Sequence, residues 1–248
     1  MFVFLPIAKE IAMRCPRPVF LLPAVLAMAL ALTPKDVAFH EGSIAFVGDS
    51  LTLGADASTP SRTFVSLVTT YIENRATKET HSMFLSFDPA NDPVAAAQAM
   101  QHDRRFVVIE LGVHAAIDES ISPGQFRQIY ASILDCVTGD STIVVAGTVP
   151  WLGWAAVTST YERADLFSQI IAQEAAKRQV AVADLWSATK LRLNLISTPQ
   201  DQTFLGSGRG DNFHPNDAGH AVIAQTYERA ITLVLEHPLK RPYDRRCH

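Results

Sequence analysis

The stretch Ile44–Gly54, IAFVGDSLTLG, decides the fold. Its first four residues, Ile44 to Val47, are apolar, and they run straight into Gly48-Asp49-Ser50. An unbroken apolar run of this length reads as a strand buried on both faces. Its exit is polar, so a serine hydroxyl stands where the chain leaves the sheet. Outward from this point, strand and helix patterns alternate. SRTFVSLVTTYIENR carries Phe64, Leu67, Val68, Tyr71 and Ile72 at helical spacing. SMFLSF is a second strand. DPVAAAQAMQHD is a small-residue helix with Pro93 near its start, where proline is tolerated. RFVVIELG is a third strand, and SPGQFRQIYASILDCVTG a helix closed by Gly139. STIVVAGTVP is a fourth strand, STYERADLFSQIIAQEAAKRQ a long helix and VAVADLW a fifth strand. A last helix runs from about Pro215 to about Glu236. Nearly all-apolar strands separated by helices predict a parallel sheet covered on both faces and doubly wound.

The remaining bulk properties bound the function. The chain has 248 residues, 48% of them hydrophobic, with a formal net charge of -4. That supports one sizeable core and excludes the strongly basic face a nucleic-acid partner needs. The domain is expected over residues 41–237, with a leader at 1–40 and a polar tail at 238–248. In the leader, Lys9, Arg14 and Arg17 precede VFLLPAVLAMALAL, which ends in alternating alanines. This is the composition of an export signal. An uncleaved membrane anchor and a packed helix are the alternatives; the run is shorter than the roughly 20 residues a spanning helix needs. A secreted or envelope location is expected, with membrane association through the N-terminus as a further possibility. The three cysteines, Cys15, Cys136 and Cys247, form no spaced framework. Cys136 lies on the apolar side of its helix and reads as core filling; a disulfide to Cys247 is the alternative.

Sites in such sheets form at the carboxyl ends of the strands. There the sequence places Asp49 and Ser50, then Gly112 and His114, then Trp151 and Trp154, then Asp184. The segment GRGDNFHPNDAGH, before the last helix, adds Asp211, His214, Asp217 and His220. A serine needs a base to take its proton, and that base is usually an imidazole oriented by a carboxylate. Asp211 and His214, three residues apart in a glycine-rich loop, can supply both. Asp184 is a rival acid, but aspartate at a strand end more often serves a turn or cap.

Gly48-Asp49-Ser50-Leu51 near one end and Asp211-x-x-His214-Pro215-Asn216 near the other resemble the GDSL, or SGNH, hydrolase family. The resemblance implies a three-layer α/β/α sandwich with a five-stranded parallel sheet, flavodoxin-like in topology. It implies Ser50 as nucleophile, His214 as general base and acid, and Asp211 as its partner. The G-x-S-x-G elbow of α/β-hydrolases does not fit GDSLT.

The family holds the oxyanion with the serine N–H, a glycine after strand two and an asparagine after strand three. Here no glycine lies between Gly54 and Gly112, and His114 stands in the asparagine's place. Ser50, Gly112 and His114 are the candidate oxyanion residues. A neutral imidazole keeps one N–H for that purpose; packing at the strand end is the alternative. Trp151 and Trp154 either line an apolar pocket or cover the sheet edge. Asp49 reads as a local hydrogen-bonding residue. His214, Asp217 and His220 could be read as metal ligands, but His220 falls on the apolar stripe of the last helix, and no metal or other cofactor is expected.

The expected activity is hydrolysis of carboxylic esters of a lipid, carbohydrate or small molecule through an acyl-enzyme. An O-acyltransferase on the same site, or a non-catalytic binding protein on this scaffold, are the alternatives.

Overall fold

The computed structural model describes residues 43–75, 82–86, 104–138, 142–151, 158–195 and 214–237. The expected leader, the small-residue helix at Pro93, Asp211, Trp154 and the C-terminal tail lie outside these residues.

A five-stranded sheet forms the centre, built from β1 (Ser43–Gly48), β2 (Ser82–Ser86), β3 (Arg104–Glu110), β4 (Ile143–Gly147) and β5 (Ala181–Ala183). The spatial order is β2-β1-β3-β4-β5 and every pairing is parallel. The order reverses at β1, so a crevice opens between the ends of β1 and β3. Ser50 leaves the sheet there. The apolar runs explain the burial: Ile44–Val47, Phe106–Ile109 and Val144–Ala146 are all at most 2% exposed. A strand covered on both faces can use apolar residues at every position.

Helices supply the covering layers. They are α1 (Phe64–Glu73), α2 (Val113–Ile117), α3 (Pro123–Val137), α4 (Thr158–Lys177), α5 (Leu185–Leu195) and α6 (Asp217–Glu236). Their starts follow local chemistry. Ser122 and Gln125 close a reciprocal capping box at α3, with a proline in the first turn. The Thr63 side chain accepts from the Ser66 N–H at α1. Asn216 accepts from the Ala218 and Gly219 N–H groups, so α6 begins after Pro215 and not at it.

Two elements differ from the expectation. The fifth strand ends at Ala183, because Asp184 accepts from the Ser187 N–H at 2.9 Å and caps a new helix. Leu185 and Trp186, expected in the strand, open α5 instead. The short α2 also goes unforeseen; no side chain caps it and it makes little more than one turn. Cys136 is 7% exposed, as core filling requires, and it is also disulfide-bonded. Its partner lies outside the described residues.

Candidate active site

The turn after β1 is unusually close-packed. A Cβ on Gly48 would overlap the Thr52 hydroxyl and the Glu110 carbonyl, so only glycine fits between β1 and the end of β3. The Asp49 N–H donates to the Glu110 carbonyl at 3.3 Å. From there the chain coils back on itself. Thr52 N–H and Leu53 N–H donate to the Asp49 carbonyl, and Ala55 N–H donates to the Ser50 carbonyl at 3.1 Å. Ser50 is thus held by its own loop, with its side chain half-buried. Among the described residues nothing accepts from the Ser50 N–H, leaving it available to an oxyanion.

His214 arrives from 164 positions away. Its Nε2 lies 2.8 Å from Ser50 Oγ. That is hydrogen-bonding distance for a hydroxyl giving its proton to an imidazole. Pro215 follows His214 and Asn216 caps α6, so His214 sits on a short stiff lead into a long helix. Asp211, expected on the other ring nitrogen, lies outside the described residues.

Asp49 joins the two sides of the crevice. It is 4% exposed; its Oδ1 accepts from Leu51 N–H at 3.2 Å and its Oδ2 from His114 N–H at 3.2 Å. The local role expected of it holds, and a second role across 65 positions is added. Beside it, Glu110 is 1% exposed. Burial first, and then the Asp49 charge, hold the Glu110 carboxyl well above the usual carboxylate range. That environment favours the neutral form of the Glu110 carboxyl.

Gly112 precedes α2 with φ of 132°, a conformation that disfavours any side chain. An added Cβ there would also meet Val149 Cγ2 at 2.6 Å. His114 follows on the first turn of α2 with its side chain exposed. Arg163 reaches over from α4 to the far end of this turn. Its guanidinium donates to the carbonyls of Ala115, Ala116, Asp118 and Ile121 at 2.7–3.1 Å.

The other candidates find structural employment. Asp184 is the α5 cap. Trp151 is 2% exposed and packs with Val222, Tyr161 and Trp186, so it fills space between helices and presents no ring to solvent. Asp217 accepts from the Ser58 N–H at 2.8 Å and the Ser58 hydroxyl at 2.6 Å. His220 is fully buried, with both ring nitrogens on backbone groups. These contacts of Asp217 and His220 went unread, since the sequence marks no partner for either residue.

Comparison with known proteins gives the family and the fold. Residues 46–222 match the model of the GDSL-like Lipase/Acylhydrolase family. No curated protein matches the sequence. Among solved structures, the lipase/acylhydrolase from Enterococcus faecalis is similar with a TM-score of 0.59 at 18% identity, covering 82% of this chain and 100% of its own. An acetylxylan esterase from Geobacillus stearothermophilus, in a catalytic mutant, gives a TM-score of 0.57 at 14% identity, covering 77% and 94%. A two-domain esterase active on acetylated mannans gives 0.58 at 16% identity, covering 82% of this chain and 53% of that one. At these identities the structures share the fold, while the family match spans most of the sequence. The chain belongs to the GDSL-like lipase/acylhydrolase family and is an ester-cleaving hydrolase.

Proposed function

We propose that the chain cleaves acyl esters through an acyl-enzyme on Ser50, with His214 as general base and acid and Asp211 as the carboxylate behind it. One observation carries this reading: the 2.8 Å approach of Ser50 Oγ to His214 Nε2 at the crevice where the strand order reverses. Ser50 Oγ attacks the ester carbonyl as its proton passes to Nε2. The carbonyl oxygen becomes an oxyanion, supported by the Ser50 N–H, with the His114 ring and the Gly112 turn on the opposite wall. The imidazolium then protonates the departing alcohol oxygen, and the C–O bond breaks. Water enters, gives its proton to His214, and its oxygen attacks the acyl carbon; collapse restores Ser50 and releases the acid.

The substrate class is an acyl or acetyl ester of a carbohydrate, lipid or small molecule. Two of the similar structures act on acetylated polysaccharides by their descriptions, which favours beginning with acetylated sugars. Export supports such a substrate. The leader has a signal's composition, and the Cys136 disulfide suits an oxidising compartment.

The test is covalent labelling. A fluorophosphonate should modify Ser50, and Ser50→Ala should abolish both labelling and release of p-nitrophenol from the acetate ester. A folded protein that neither labels nor hydrolyses any ester in an acetyl-sugar and lipid-ester panel would refute the reading.

A further inference from the structure

Nothing in the proposed chemistry explains why a histidine is buried completely on α6, six residues after His214. His220 is 0% exposed. Its Nδ1 accepts from the Phe64 N–H at 3.3 Å and its Nε2 donates to the Ala55 carbonyl at 3.0 Å. A ring nitrogen that accepts from an N–H carries no proton, so the tautomer is fixed with hydrogen on Nε2. Phe64 opens α1, and its N–H is one of the helix-start donors that no intrahelical carbonyl can take. The Phe64 ring stacks on the imidazole, with centroids 6.1 Å apart and planes 15° from parallel.

Ala55 is the informative partner. Its carbonyl takes the His220 proton, while its N–H donates to the carbonyl of Ser50 itself. The same peptide unit does not carry both groups, but one residue does. A line of hydrogen bonds therefore runs from α6 through Ala55 to the nucleophile's backbone. Asp217, on the first turn of α6, makes a second tie by holding Ser58 through two bonds. The helix that brings His214 to the site is thus bolted to the loop that presents Ser50.

We propose that His220 is a positioning residue that sets the approach of Ser50 to His214 by holding the Ala55 end of the nucleophile loop. This rests on the reading of Ser50 and His214 as the reacting pair. Burial pushes the His220 pKa down, against the pull of the Ala55 carbonyl, Asp217 on its own helix and Asp56 on the loop; the neighbouring His214 acts with burial. Burial thus favours the neutral ring that the Phe64 contact requires. Misplacing a reacting group by about 1 Å costs on the order of 10²-fold in rate.

Two amide substitutions separate the ring's functions. The amide of asparagine falls near Nδ1 and keeps a partner for Phe64; that of glutamine falls near Nε2 and keeps a donor for Ala55. In the full chain, His220→Asn should lower kcat for p-nitrophenyl acetate by about ten- to a hundred-fold with KM within about two-fold. His220→Gln should stay within about three-fold of the parent. Hydrogen exchange of the peptide spanning residues 50–56 should rise in His220→Asn and not in His220→Gln. A folded His220→Asn with the parent's kcat, or a glutamine variant as slow as the asparagine one, overturns the proposal. Should His220→Asn fail to fold, the glutamine variant decides: parental kcat and exchange support the proposal, and loss of either overturns it. The exchange readout needs no turnover. An inert parent would therefore sink the catalytic reading, while unchanged exchange in a folded His220→Asn would sink the positioning role.

Discussion

The ends of β1 and β3 face each other across one crevice, yet they are secured by different means. The β1 loop is fastened by side chains of α6 and its lead-in: His214 meets Ser50, His220 holds Ala55 and Asp217 holds Ser58. The β3 loop is fastened through its backbone. Asp49 holds the His114 N–H from one side, and Arg163 gathers four carbonyls from the other. The His114 side chain itself is left exposed. One wall fixes the Ser50 and His214 side chains against each other. The other fixes the main chain beneath a side chain that remains accessible. A nucleophile's approach tolerates little slack, and an oxyanion donor on the other wall would need its place set in advance as well.

The largest effect expected from testing this contrast lies at His114. Removing an oxyanion donor typically costs about 10²–10³ in kcat. His114→Ala should fall on that scale in p-nitrophenyl acetate turnover, and His114→Asn should retain most activity. If His114→Ala turns over like the parent, the exposed ring takes no part and the β3 wall contributes backbone only. Next comes Arg163→Met, which strips four carbonyls of their shared donor. Hydrogen bonds to a charged group contribute about 1.5–3 kcal/mol, and the loss should appear as a lowered denaturant midpoint. The Ser50 labelling rate should change little, because the β1 wall keeps its own supports. An equal loss of labelling would show that the two walls are one mechanical unit.

The smallest effect lies far from the crevice, at Glu174. Burial alone would raise this carboxyl, but hydrogen bonds from Lys177, Arg127 and Arg178 outweigh it and hold it at about 2. The Arg127 contact ties α3 to α4, and Arg178 adds a second tie through Asp135. A depressed carboxylate stabilises the fold fully above its unfolded pKa of about 4.3. Its contribution is lost as pH falls toward 2. Glu174→Gln should therefore flatten acid unfolding between about pH 5 and 2 while lowering stability modestly at pH 7. An unchanged acid limb would assign that limb to other carboxylates.

Much of this architecture was readable before any coordinates. Ile44–Val47 and Phe106–Ile109 announce buried parallel strands because nothing polar interrupts them. Ser122-Pro123 with Gln125 announces the start of α3. The pairing of Ser50 with His214 was readable because two local motifs, in order, demand a common rim. What escaped reading depends on partners distant in sequence. Asp184 ends β5 by capping a helix whose own apolar pattern is weak, so the strand was read too long. Ser58 and Asp217 carry no mark that they will meet across 159 positions. His220 looked like one more residue on an apolar stripe; only the fold shows that both of its nitrogens are committed.

The Asn216 cap, the Asp217 tie and the His220 bolt lie within five consecutive positions, beginning two residues after His214. For protein engineering this compresses the proposed base and its alignment hardware into one short cassette. A graft that transplanted His214 alone into another scaffold would carry the reagent without its jig; residues 214–220, moved together with the loop they grip, would carry both.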